Sequence, residues 1–135
     1  MSNKISIAKR DAIIALETYA TKYRNSDVIS CFAILQCKPE SERTFLNYKK
    51  VNENVNLDDY NFIARYGTTD ETKNKPINEF LEDVFYTFNV NHPKNFKGHS
   101  LSVSDIVAIK INKTISFYFT DSVGFVHLPE DVTIE

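Results

Sequence analysis

The sequence predicts a single α+β domain: an antiparallel β-sheet with an amphipathic helix packed on one face and an added N-terminal helix. Three observations predict it. Ile77, Phe80, Leu81, Val84, Phe85 and Phe88 recur at spacings of three and four, as one face of a helix does. Val28 to Cys37 is almost wholly apolar and rich in β formers, as a strand covered on both faces must be. Asp105 to Ile111 and Thr114 to Thr120 are two short β runs joined by Asn112-Lys113, which reads as a hairpin.

Taken in order, the chain opens with a helical pattern from Ile5 to Tyr23. Ile5, Ala12, Ile13, Leu16, Tyr19, Ala20 and Tyr23 share a face, and Ser2, Asn3 or Ser6 can cap it. Arg24 to Asp27 ends it. This helix either docks on the core or projects as an arm toward a partner. The run from Val28 to Cys37 follows. Its Cys31 and Cys37 would lie roughly 20 Å apart along a strand, too far to bridge, so they read as buried thiols in a reducing cytoplasm. Pro39 breaks the chain into a turn. Arg43 to Val51 alternates and reads as a half-exposed strand.

Asn52 to Asp59 is a polar loop with Val55 and Leu57 as anchors. Tyr60 to Tyr66 is the next strand, with Tyr60, Phe62, Ala64 and Tyr66 on one side and Ile63 on the other. Gly67 to Lys75 lacks apolar residues and reads as a mobile loop. Pro76 starts the helix of residues 76–89, with Glu79, Glu82 and Asp83 in its first half, where the helix dipole favours acids. After the hairpin, Asp121 to Gly124 turns the chain into a last strand, Phe125 to Leu128, which Pro129 stops. The expected core is Phe32, Ile34, Phe80, Leu81, Val84, Phe85, Phe88, Leu101, Val107, Ile109, Phe117, Phe119 and Phe125.

The 135 residues suffice for one sizeable core, and 42% apolar with 25% charged content is that of a soluble globular protein. A formal net charge of −2 argues against a general nucleic-acid binder, yet is too weak to signal a DNA mimic. No apolar run is long enough to span a membrane, and the N-terminus has no secretory core.

Several pieces of the chain resemble one family. They are Leu81-Glu82-Asp83-Val84-Phe85, Phe88-Asn89, His92-Pro93, Phe96, the run Gly98-His99-Ser100-Leu101-Ser102-Val103-Ser104-Asp105-Ile106-Val107, and Asp121-Ser122-Val123-Gly124-Phe125. Phe32-Ala33-Ile34-Leu35-Gln36, Arg43-Thr44-Phe45 and Tyr60 to Ala64 fit the same layout. This series resembles the YodL-like domain of phages, plasmids and conjugative elements. The resemblance divides the chain into an N-terminal helical extension, residues 1–27, and a YodL-like α+β domain, residues 28–135. It implies an accessory or effector module of a mobile element that binds proteins, some of them morphogenesis proteins. It brings no catalytic constellation. For a small free-standing member it implies an inhibitor that occludes a host or defence protein, such as a CRISPR-associated nuclease or restriction enzyme.

The chemistry-bearing residues fit that expectation. His99, Ser100, Ser102, Ser104, Asp105, Asp121 and Ser122 are residue types of a hydrolytic triad, and His99, Ser102 and Asp105 would be its members. The run is not the nucleophile-elbow motif, however. Gly98, Ser100, Ser102, Ser104, Asp105, Asp121, Gly124 and Phe125 read as a structural motif of turns entering strands. His92, His99 and His127 have no zinc-site spacing, and no nucleotide-binding loop occurs, so neither metal nor cofactor is expected. A nucleic-acid module is the alternative. It would need Tyr60, Tyr66, Tyr86 or Tyr118 exposed for stacking, with Lys49, Lys50, Lys94, Lys97, Lys110 and Lys113 on one face. The expected partner-binding residues are Asp58, Asp59, Asp70, Glu71, Glu79, Glu82, Asp83, Tyr86 and His99, an acidic surface suited to a basic groove.

Overall fold

The computed structural model of the chain describes residues 6–23, 26–38, 55–90, 94, 98 and 100–134. The sheet order is β2-β1-β3-β4-β5, every pairing is antiparallel, and β6 pairs with β4 beyond the end of β5. The strands are β1 (Ile29–Cys37), β2 (Tyr60–Gly67), β3 (Ile106–Ile111), β4 (Thr114–Thr120), β5 (Phe125–His127) and β6 (Val132–Thr133). One helix covers each face: α1 (Ile7–Thr18) on one, α2 (Ile77–Val90) on the other. The expected strand from Arg43 to Val51 lies outside the described residues.

All nine residues of β1 are buried, because β2 and β3 flank it and a helix covers each side. Alternation sends Cys31, Ala33, Leu35 and Cys37 toward α1, and Phe32 and Ile34 toward α2. Likewise Ile106 and Ala108 of β3, with Ile115, Phe117 and Phe119 of β4, face α1, while Val107, Ile109 and Tyr118 face α2. The core is therefore two clusters separated by the sheet. Of the expected core, Phe85 and Phe125 are only half-buried. Both cysteines are free and buried.

α1 docks on the sheet. Its capping residue is Ser6, whose Oγ accepts from the Lys9 amide at 3.1 Å. The buried residues are Ala8, Ala12, Ala15 and Leu16. Ala8 and Ala12 share a cluster with Ala33 and Ala108, so small side chains meet small ones and the helix can lie close to the sheet. Ile7 and Ile14 point outward. The helix ends at Thr18, short of the expected Tyr23. The edge strand takes over its last turn: the Arg65 guanidinium donates to Ala15 O at 2.6 Å and to Thr18 Oγ1 at 3.0 Å, and Tyr19 turns extended under Arg65.

β2 departs from strict alternation. Ile34 pairs with Ala64 and Leu35 with Phe62, so Ile63 is an extra residue in a β-bulge. Tyr60 and Phe62 consequently face the α1 cluster, whereas Ala64 and Tyr66 face the α2 cluster. The segment after β2 is a bonded turn rather than a loose loop. Thr68 Oγ1 donates to Ile29 O at 2.6 Å, and the Ile29 amide donates to Lys73 O at 3.0 Å. Pro76 takes the cap position of α2, its carbonyl accepting from the Phe80 amide at 2.9 Å. In the β3–β4 turn Asn112 supplies the left-handed residue, with φ of 52°.

Candidate functional site

Two places gather the chemistry-bearing side chains: a buried polar knot at the start of β3, and an open groove between α2 and the β4–β5 turn.

The knot is built by the turn Ser102–Asp105, in which the Asp105 amide donates to Ser102 O at 3.1 Å. Asp105 Oδ2 accepts from the Ser102 amide and from Gln36 Nε2, each at 3.0 Å. Asp105 and Gln36 are 1% and 2% exposed, so the carboxylate links turn and central strand out of contact with water. Ser104, between them, has φ of 84°, a region costly for a residue with a side chain. It is held there on three sides. Its amide donates to Thr120 O at 2.8 Å, its carbonyl accepts from Tyr60 Oη at 2.5 Å, and its Oγ lies 3.7 Å from Cys37 Sγ. Burial first, and then the charges of Cys37, Asp105 and Asp59, push the Tyr60 phenol far above its ordinary value, so it stays a neutral donor. Ser102 Oγ is buried without a hydrogen-bond partner. A hydroxyl nucleophile needs an adjacent base, and the Asp105 carboxylate is committed to backbone and amide donors. His99 and His92 lie outside the described residues. Gly98 sits half-buried at a bend and Ser100 is exposed.

The groove has a volume of about 440 Å³. Glu82, Phe85, Tyr86, Asn89 and Val90 of α2 form one wall, a second helical stripe beside the one that faces the core. Thr120, Asp121, Ser122, Gly124 and Phe125 form the other. The second wall is shaped by a turn in which the Asp121 amide donates to Gly124 O at 3.0 Å, Asp121 Oδ1 accepts from the Ser122 amide at 2.8 Å, and Gly124 takes φ of 75°. Tyr86, Val90 and the turn residue Val123 are 66%, 65% and 90% exposed. Tyr86 and Val90 thus bring exposed apolar surface to the groove, and Val123 lies in the adjoining turn. Two of the lining residues carry buried oxygens without hydrogen-bond partners, Asn89 Oδ1 and Thr120 Oγ1. A larger hollow, about 710 Å³ and lined by Ser6, Asp11, Lys38 and Asp58 among others, lies between the start of α1 and the start of β2.

The acids expected to form one surface are dispersed. Asp58 and Asp59 lie on a 3-10 turn, Leu57–Asp59, on the α1 side of the sheet. Asp70 is within ion-pair distance of Lys22 and Lys73, with Glu71 exposed beside it. Glu79, Glu82 and Asp83 belong to α2, on the opposite face, and Asp83 pairs with Lys75, whose ammonium that bond raises above its ordinary value. Of the acids expected to meet a partner, only Glu82 lines the groove. Tyr60 and Tyr118 are buried in separate clusters, Tyr66 is half-buried against Phe32 and Phe88, and Lys110 is buried; Tyr86 alone of the four tyrosines is exposed. Lys49, Lys50 and Lys97 lie outside the described residues. His127 stacks on Tyr118 at 4.8 Å and contacts Asp131 at 2.7 Å. No cluster of metal-ligating side chains occurs among the described residues, and no described helix is long and apolar enough to cross a membrane.

Sequence reasoning missed Phe85, Asn89, Val90, Thr120 and Ser122 as groove residues. The signal was present: Tyr86 and Val90 continue an apolar stripe one residue off the core stripe. The family model of the YodL-like domain matches residues 31–130, which include β1 from Cys31 onward, β2 to β5, α2, the knot and the whole groove, but not α1. No curated protein and no solved structure matches the chain.

Proposed function

The chain belongs to the YodL-like domain family, and on that premise we propose that it is a non-enzymatic, cytoplasmic effector of a mobile element. It acts by binding and occluding a host or defence protein, such as a CRISPR-associated nuclease or a restriction enzyme. The observation that carries this reading is the groove between α2 and the β4–β5 turn. There Tyr86 and Val90 hold apolar surface open to water, as protein-binding surfaces do. The knot at Asp105 supports it from the other side, because the Ser and Asp residues of the family-like motif are used in holding a turn. Occlusion needs surface complementarity and no proton-transfer machinery, and the groove supplies the former.

The test is capture of partners by the tagged full chain from bacterial lysate, identified by mass spectrometry, then assay of the captured protein's activity. The expected result is a protein retained in stoichiometric amount at physiological salt whose activity falls as the chain is added. Recovery of no protein partner, together with a shift of labelled nucleic acid at physiological salt, replaces this reading with the nucleic-acid module.

A further inference from the structure

We propose that the groove between α2 and the β4–β5 turn receives an arginine and an adjoining apolar side chain of the partner protein. This rests on the protein-binding reading and names what the partner must present. Three features of the groove point the same way.

The first is charge. Glu82 and Asp121 stand in the lining, and among the described residues no Lys, Arg or His does. The Glu82 carboxylate is exposed and makes no ion pair with a described residue, so it is open to a cation from outside. The second is hydrogen bonding. Asn89 Oδ1 is an acceptor without a donor and Thr120 Oγ1 is an unpartnered hydroxyl, and Thr120 is 2% exposed. Such groups are costly while unpaired. A guanidinium carries five N–H donors in a fixed fork and no acceptor, so it matches a lining that offers a carboxylate and unpartnered oxygens. A lysine ammonium, a compact point charge, matches fewer of them. The third is the aromatic surface. Phe85, Tyr86 and Phe125 bring aromatic rings to the lining, and with Val90 they supply apolar surface; a guanidinium stacks on aromatic rings.

The same features exclude other occupants. Nucleic acid would bring phosphates to an acidic rim. A second copy of the chain, paired by a twofold axis through this face, would set like charges against each other.

The test uses the uniformly ¹⁵N-labelled full chain and two capped peptides, acetyl-Gly-Leu-Arg-Leu-Gly-amide and the same peptide with citrulline for arginine. Citrulline keeps the size and removes the charge. Amide shifts at Tyr86, Asn89, Thr120 and Gly124 are expected with the arginine peptide. Binding should weaken about threefold with citrulline, and about threefold in Glu82→Gln, the two changes together adding little more. Shifts centred elsewhere, or equal binding of both peptides, overturn the proposal. The variants Glu82→Gln and Tyr86→Ala alter exposed side chains, and unchanged melting temperatures will show that they fold. In the capture experiment, loss of the partner in Tyr86→Ala supports the groove. Retention in both variants overturns the groove while the protein-binding reading stands. An arginine peptide seated in the groove with no captured protein leaves the groove standing and the effector reading refuted. A dimer in sedimentation that Tyr86→Ala dissociates assigns the groove to a second copy and overturns the proposal.

Discussion

Replacing Asp105 by Ala is expected to cost about 2–4 kcal/mol of folding stability, and the figure follows from two hydrogen bonds. Asp105 Oδ2 accepts from Gln36 Nε2 and from the Ser102 amide, each at 3.0 Å. Gln36 is 2% exposed, so water does not take over as acceptor, and a buried donor deprived of its partner costs about 1–3 kcal/mol. The Ser102 amide is less enclosed and contributes about 1 kcal/mol. The turn also loses the clamp that helps hold Ser104 at a φ of 84°. Against a total stability of about 5–15 kcal/mol this is a large fraction. Urea unfolding followed by circular dichroism measures it, with an unchanged slope to show that the native state remains compact. In a Gln36→Leu background the amide donor is gone, so Asp105→Ala should cost about 1 kcal/mol less there than in the wild type. A loss below about 1 kcal/mol in Asp105→Ala, or no coupling to Gln36, refutes the structural assignment of the knot. An unaltered stability together with a lost activity would make Asp105 a functional group instead.

Three further outcomes test the fold. Tyr60 keeps its proton in the folded state well above its ordinary value of 10.0, so the stability it supports is complete below that pH and falls as pH rises beyond it. Between about pH 9 and about pH 11 the wild type should lose about 1 kcal/mol more than Tyr60→Phe, read from urea midpoints. Gly67→Ala would place a Cβ 2.8 Å from Tyr19 Oη, forcing the ring off Arg65; a loss of about 1 kcal/mol, absent in a Tyr19→Leu background, is expected in thermal melts. Leu16→Ala empties a 1%-exposed site in the α1 cluster and should cost about 2–5 kcal/mol, whereas Ile14→Ala on the outer side of the same helix should change stability by less than about 0.5 kcal/mol.

Most elements were legible because their signals are local. The α2 stripe, the doubly buried β1 and the alternation of Ile115, Phe117 and Phe119 each follow from neighbours a few residues away. The misreadings share a different origin. α1 stops at Thr18 because Arg65, far off in sequence, binds its carbonyl end. The 67–75 segment is ordered by Ile29 and Ser30 on another strand. β6 is two residues long, too short for any pattern, and exists through its pairing with Thr114 and Ile115. The groove was half legible: Glu82 and Tyr86 stood out as surface residues of a helix, but the turn that completes the site stands out in sequence only as a turn.

The sequence by itself determined the class of the fold, the position of its main helix and strands, and the identity of the motif that marks the family, because hydrophobic period and turn chemistry act over a few residues. Only the tertiary structure decided that the sheet has a helix on each face, and that one bulge at Ile63 sends Tyr60 and Tyr66 to opposite clusters. It alone decided that Asp105 is locked beneath the turn while Tyr86 and Val90 face the β4–β5 turn across an open groove. The physical reason is that a bulge, a sheet order and a groove depend on pairings between distant segments, and no local spacing encodes which segments meet.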